Sequence, residues 1–480
     1  MDSTCNNIWD KATSLMGTHT ISLLFVPLSI VGVLLIRKHK RHGKKKYPPY
    51  APGGIWENTN LRLTRPYWML DVARTLQTSL FQIHLPAIPP KSLIAVGETI
   101  AFRALLTDPL TRKPDMYMMF RGIYGGAPSM FTTDGPQWHA KRKTIAPAFS
   151  SNHIRRMTRV AMEKTEEWIW RQRALTKGES FDFDVSEEIS RVVLLALSKT
   201  AFEYEMSDEE KDSFGHEMKL ALTEFALKDA VYPLRGLLGR FIPKRRRAQA
   251  ASRKLMLLAT KIMNAYRNKE PSNKGTILQL IMESEAFPTE EEKAAQLLEM
   301  LLAGQDTTAY SIAFILIELA RSPNEQTKLR ESLSGLSPDN WTSSKCLQRV
   351  VKEGMRLHPV GRSVRKAGRD ITTSKNEVLP EGSICIANFL LLFRNPDVFQ
   401  EPDAFLPSRW EEPSQKMLDS FHPFSLGKHN CVGQSLARVE VFGIVARICS
   451  EFELSLESEG HIDFYLTMKP VGWRLRARKL

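Results

Sequence analysis

"FSLGKHNCVG", Phe424 to Gly433, sets Cys431 in a glycine-bearing loop, and "QSLARVEVFGIVARI" follows at once with an apolar, helical period. A thiol at a helix N-terminus sits in the positive end of the dipole, which lowers its pKa and favours thiolate. A thiolate there is either a nucleophile or a metal ligand, and the local residues leave both open. The rest of the chain has to decide.

The 480 residues are enough for two average domains or one large one. A hydrophobic content of 42% supports a sizeable core, and 67 Lys plus Arg against 53 Asp plus Glu leave a net charge of +14. That balance suits an acidic protein partner, an anionic membrane surface or a nucleic acid. The cysteines (Cys5, Cys346, Cys385, Cys431, Cys449) are odd in number and scattered. They form neither a disulfide framework nor a zinc site, which fits a reducing compartment.

From Leu15 to Ile36 the chain reads "LMGTHTISLLFVPLSIVGVLLI", free of Asp, Glu, Lys and Arg. At about 1.5 Å per residue this stretch spans a bilayer core. Arg37, Lys38, Lys40, Arg41, Lys44, Lys45 and Lys46 follow, and the positive-inside rule puts them and the body in the cytosol. A cleaved signal would carry its charges before the apolar run and a small-residue cleavage site after it. We therefore expect an uncleaved transmembrane anchor within residues 1–36 (helix about 15–36). A basic, proline-rich linker ("YPPYAPGG" at its end) covers 37–54, and one catalytic domain covers 55–480. Beyond residue 55 no repeat, GxGxxG after a strand, P-loop or nucleic-acid motif is found. The body reads as mostly helical, with short strand-like pieces such as "SICIANFLL" (Ser383 to Leu391).

Four further stretches bear on Cys431. "PTEEEKAAQLLEMLLAGQDTTAYSIAFILIELARSP" opens with Thr289 and Glu292 in capping-box spacing and runs unusually long for a helix. Its apolar middle contains Gly304, Asp306, Thr307 and Thr308. A buried acid beside two hydroxyls is expensive unless hydrogen-bonded or functional. Threonines bonding back to carbonyls one turn earlier are the ordinary alternative. "SKCLQRVVKEGMRLHP" puts Leu347, Val350, Val351, Gly354 and Leu357 on one face, with Glu353 and Arg356 three apart, a spacing usually seen in surface ion pairs. "PDAFLPSRW" places Arg409 in an apolar loop, and "GPQWHAKRK" places Trp138 and Arg142 one turn apart on a helix opened by Pro136.

In this order, and with Cys431 last, these stretches closely resemble the cytochrome P450 family over roughly residues 50 to 480. FxxGxxxCxG is Phe424, Gly427, Cys431 and Gly433; AGxDTT is Ala303 to Thr308; ExxR is Glu353 and Arg356; WxxxR is Trp138 and Arg142. The anchor is that of the microsomal members.

The resemblance implies a mainly α fold with small β-sheets, the cytochrome P450 fold, preceded by the N-terminal transmembrane helix. It implies haem b (iron protoporphyrin IX) with the Cys431 thiolate as axial ligand, where thiolate donation favours O–O heterolysis. Gly427 and Gly433 would let the backbone pass close to the porphyrin, and Phe424 would shield the sulfur. Asp306 and Thr307 stand as the acid–alcohol pair that relays protons to dioxygen, with Thr308 in support. Ala303 and Gly304 would leave room for the oxygen. Trp138, Arg142, Arg365 and His429 occupy the positions that meet the haem propionates; His429 stands where many members carry Arg. Glu353, Arg356 and Arg409 resemble the buried cluster that holds the haem-binding loop.

Electrons are expected from NADPH through a separate NADPH–cytochrome P450 reductase, with cytochrome b5 as a second donor, docking on a surface that includes Lys141, Lys143 and Lys428. "VYPLRGLLGRFIPKRRR" (Val231 to Arg247) reads as an interfacial segment that meets membrane lipids. The expected location is the endoplasmic reticulum membrane, single-pass. The expected reaction is insertion of one atom of O2 into a lipophilic substrate: hydroxylation, or stepwise oxidation of a methyl group, on a prenyl, terpenoid or fatty-acyl chain. "FRGIYGGAPSMFTTDG" (Phe120 to Gly135), Val360 to Val364 and "FYLTMKP" should line its pocket. Within that pocket, Arg362 in "VGRSV" is an unusual charge that either meets an anionic substrate group or points to a propionate or solvent.

The rivals are a haem-thiolate isomerase or dehydratase, which typically lacks the acid–alcohol pair, and a non-catalytic membrane-anchored haem or lipid binder. A cysteine hydrolase fits poorly, since His429 is two residues from Cys431 and no triad orienter is evident.

Overall fold

The structure, a computed structural model, describes residues 46–53, 65–85, 91–176, 180–228, 241–268, 275–464 and 466–480. The expected anchor and residues 231–240 of the interfacial segment lie outside them. The helices are α1 (Trp68–Leu76), α2 (Thr99–Thr107), α3 (Gly135–Ile145), α4 (Ser151–Thr176), α5 (Val185–Phe202), α6 (Asp208–Ala221), α7 (Pro243–Arg267), α8 (Ile277–Glu283), α9 (Glu290–Arg321), α10 (Pro323–Leu333), α11 (Lys345–Leu357), α12 (Phe389–Phe393), α13 (Gln415–Ser420) and α14 (Gln434–Glu451). The strands are β1 (Leu80–Leu85), β2 (Lys91–Val96), β3 (Ser180–Asp184), β4 (Ser363–Lys366), β5 (Ile371–Thr372), β6 (Val378–Leu379), β7 (Ile384–Ala387), β8 (Phe452–Ser458), β9 (His461–Phe464), β10 (Met468–Val471) and β11 (Arg474–Lys479). The expected mainly α architecture with small sheets is observed.

Helix α9 runs through the centre. The Thr289 side chain accepts from the Glu292 N–H, and three glutamates in the first turn favour the dipole. The capping box is only half made, because the Glu292 carboxylate turns to Lys141. Ile312, Phe314, Ile315 and Leu319 of α9 pack with Val441, Ile444 and Ile448 of α14 and with Val350 and Val351 of α11 in one core. Each such side chain contributes ~1.5–3 kcal/mol on burial. The pattern on α11 is met: Leu347, Val350, Val351 and Gly354 are buried. A Cβ at Gly354 would overlap Ile315, so that glycine lets α11 approach α9. By length and hydropathy α9 could cross a bilayer, but most of it is buried in this core.

The four-stranded sheet has order β1-β2-β7-β4. Its last pair, β4 with β7, sets Arg365 opposite Cys385 and Val364 opposite Ile386. The strand-like stretch from Ser383 is shorter than its apolar run: it stops at Ala387, because the Asn388 side chain accepts from the Leu390 and Leu391 N–H groups and starts α12.

Candidate active site

Cys431 opens into a cavity of ≈ 320 Å³ whose wall also includes Ala303, Thr307, Thr308, Trp138, Arg142, Arg362, Arg365, Phe424 and His429. A larger cleft of ≈ 790 Å³ lies elsewhere, among Arg74, Asp403, Lys416 and Asp419, and contains none of the motif residues.

The cysteine loop is closed by the Cys431 N–H donating to the Phe424 carbonyl at 2.9 Å. Gly427 sits at φ 69°, and a Cβ there would overlap the Leu106 carbonyl of α2. That position needs glycine for both reasons. Gly433 is different: its Cβ would meet only Phe149, at 3.6 Å. The expected lowering of the thiol pKa is not met. Helix α14 starts at Gln434 with Gly433 as N-cap, which leaves Cys431 in the loop ahead of it. Burial pushes the thiol up, against the Gly433 N–H and the Arg142 guanidinium, which pull it down. Burial also pushes Cys385 and Cys449 up to about 12, so they are inert core thiols.

Cations crowd one part of the wall. Arg142 donates through both terminal nitrogens to Asn430, to its carbonyl and its Oδ1, each at 2.6 Å, and so braces the cysteine loop from α3. Arg365 is buried and donates to Val364 O at 2.9 Å. His429 packs on Trp138 with ring centroids 4.1 Å apart, and its Nε2 lies 3.2 Å from Asp134 Oδ1, which leaves the buried Nδ1 without a partner. Burial lowers its pKa, with Arg365 and Lys113 adding to the effect against Asp134. Lys113 joins these cations without a motif in the sequence to mark it. Its ammonium donates to the carbonyls of Met130, Phe131 and Thr133, and burial drags its pKa to about 8. The isolated Lys in "TRKPD" offers no periodicity that would reveal this.

Haem fits these residues on two observations. A sulfur facing the cavity suits a soft metal ion, and the cations Arg142 and Arg365 on the same wall, with the His429 Nδ1 left without a partner, suit anionic propionates.

On α9, Thr307 faces the cavity while Asp306 is not part of its wall. Thr307 Oγ1 donates to Ala303 O one turn earlier at 2.7 Å, which leaves its lone pairs free. Asp306 is hydrogen-bonded to Tyr310 and faces Lys469; burial raises its pKa to about 6. Ala303 lies on the wall, but Gly304 does not. A Cβ on Gly304 would come 2.7 Å from Leu197 of α5, so its smallness serves helix packing rather than the cavity.

Glu353 and Arg356 are fully buried rather than a surface bridge. Arg356 holds Glu353 bidentately at 2.8 and 2.9 Å and donates to the Phe393, Pro402 and Ala404 carbonyls. Glu353 also accepts from Arg409, Trp410 and the Leu406 N–H, each at 2.9 Å. Lys141 departs from its expected place on a docking surface: it is buried, paired with Glu292 and bonded to Ala286 O. Lys143 and Lys428 are exposed.

Of the expected substrate-lining stretches, Met130, Phe131 and residues 360–363 are on the wall. The described residues of "FYLTMKP" stand behind it: the Met468 N–H donates to Val360 O, and Phe464 underlies Arg362.

The family model for cytochrome P450 matches residues 69–473. The rat protein named cytochrome P450 4F4 is 27% identical, aligned over 65% of this chain and 66% of its own length, just under two thirds. A human protein named ultra-long-chain fatty acid omega-hydroxylase is 25% identical over 72% of this chain and 70% of its own. A Streptomyces melanosporofaciens protein named cyclooctat-9-en-7-ol 5-monooxygenase is 24% identical over 76% and 81%. The crystal structure of the cytochrome P450DA heme domain superposes with TM-score 0.74 at 21% identity, covering 91% of this chain and 98% of that one. The chain belongs to the cytochrome P450 family and is a haem-thiolate monooxygenase of that family.

Proposed function

We propose that this chain hydroxylates a lipophilic, chain-like substrate with one atom of O2, on a prenyl, terpenoid or fatty-acyl group. The observation that carries the proposal is one cavity receiving both the Cys431 sulfur and the Thr307 hydroxyl, with the Asp306 acid adjoining on the same helix. When bound, haem b supplies the oxygen-activating redox chemistry that side chains lack. Cys431 is its ligand, and Phe424 limits water at the sulfur. Arg142, Arg365, His429 and Trp138 hold the propionate side, with Lys113 behind them. Gly427 and Gly433 let the backbone of the cysteine loop pass close to the porphyrin, and Ala303 leaves room for the oxygen. Thr307, its own proton directed to the Ala303 carbonyl, presents the acceptor side of Oγ1 to the cavity, where it can hold a protonated species in place, and Asp306, with a pKa of about 6, exchanges protons near neutral pH.

A chain-like substrate is supported by the relatives, one named for a fatty acid and one for a terpenoid alcohol. Electrons come from NADPH–cytochrome P450 reductase, with cytochrome b5 as auxiliary donor, at a face including Lys143 and Lys428. The apolar stretch 15–36 anchors the chain in the endoplasmic reticulum membrane, with residues 37–54 as linker and 55–480 as the cytosolic catalytic domain. Reconstitution with NADPH, reductase and isotopically labelled O2 on hexadecanoic acid and farnesol tests this. Labelled alcohol is expected. Rearranged product without NADPH would point to an isomerase instead, and absence of product from either chain type would overturn the substrate class.

A further inference from the structure

Arg362 is the wall residue left unexplained by the cofactor. Its Nη2 donates to the Pro66 carbonyl at 3.3 Å, and its guanidinium lies 3.8 Å from the centroid of the Phe464 ring. That is a rigid seat on an aromatic face. A guanidinium has five donors, and among the described residues Arg362 uses one. No carboxylate pairs with it among the described residues. Among the described residues, the one acidic side chain on the cavity wall, Glu299, is engaged by the Phe131 N–H and Gln296.

The propionate-type cations sense one another: Arg365 and Lys113 act on His429, and Arg365 and Arg142 act on Lys113. Burial pushes Arg362 down to about 10, and its contacts are with Pro66 and Phe464, whereas Arg142 is held by Asn430 and Arg365 lies against Tyr117. A cation held in a desolvated wall without an anionic partner among the described residues carries a standing cost until an anion arrives. Phe464 covers one face of the plane, which leaves its edge as the binding direction. A planar carboxylate matches that edge with two parallel hydrogen bonds.

We propose that Arg362 is a specificity residue that clamps a carboxylate on the substrate, so that the chain acts on carboxylic acids rather than on neutral chains. This rests on the chain-hydroxylase reading above. One guanidinium balances a single negative charge, which favours a carboxylate over a diphosphate.

The test titrates the spectral shift of the full-length holoenzyme with hexadecanoic acid, farnesoic acid and their methyl esters. Wild type, Arg362→Leu and Arg362→Gln are compared, and the reduced-CO band verifies a folded haem site in each. Wild type should prefer each acid over its ester. Loss of the charge should weaken acid binding roughly 10- to 100-fold and leave the esters unchanged. Equal affinity of wild type for acid and ester overturns the clamp even if neither variant folds, as does equal weakening of both in the variants. In either case the chain-hydroxylase reading stands. If neither acids nor esters bind a wild type with an intact CO band, the chain reading fails and the clamp with it.

Discussion

Asp306 shares a hydrogen bond with Tyr310, one turn further along α9, while the adjacent Thr307 faces the cavity that receives Cys431. The pair is thus split across the helix: the hydroxyl is at the cavity and the acid is behind it. Burial keeps the Asp306 proton up to about pH 6. The folded state binds that proton more tightly than the unfolded chain, so the associated stability is full at low pH and lost as pH rises through about 6. Asp306→Asn should therefore melt above wild type at pH 7.5, with the gain shrinking toward pH 5. Its turnover should fall by about 10²–10⁴. A pH-independent melting difference would contradict the raised pKa.

Thr307→Ala should still consume NADPH but pass its electrons to O2 as released peroxide, because the cavity loses the hydroxyl oxygen that positions the proton donor there. Peroxide yield per NADPH is the readout. Coupled turnover at the wild-type level would move proton delivery elsewhere.

Glu353→Ala leaves Arg356 charged, fully buried and without its bidentate partner. A loss of about 3–5 kcal/mol in urea unfolding is expected. Haem content should fall with it, since Arg409 and Trp410 lose the same anchor. A change below 1 kcal/mol would mean that the cluster behaves like a surface pair.

Gly427→Ala and Gly433→Ala should separate folding from cofactor binding. At Gly427 the Leu106 carbonyl and a positive φ both oppose a Cβ, so unfolding should shift by about 1–3 kcal/mol. Gly433→Ala should leave the unfolding of the haem-free protein unchanged, since only Phe149 is near. Reduced haem uptake in that variant alone would assign Gly433 to the cofactor.

The α9 cap at Thr289, the apolar face of α11 and the family motifs were legible because local periodicity and spacing carry them. Which way each α9 side chain turns was not: Asp306 and Gly304 share a motif with Thr307 and Ala303, yet tertiary packing points the first two toward Tyr310 and Leu197. Lys141 read as surface charge because a lysine on a polar helix normally is; its partner Glu292 is distant in sequence. Lys113 was invisible for the same reason, held by carbonyls that only the fold brings near. The Cys431 loop misled in the other sense. The helix begins at Gln434, so the dipole is not what sets the thiol.

The central claim is that Cys431 is the protein's iron ligand, and the reduced-CO difference spectrum of Cys431→Ser tests it most directly. The red-shifted Soret band should vanish in that variant and persist in Cys346→Ser, whose thiol is remote from the cavity wall. A retained band in Cys431→Ser would contradict the account.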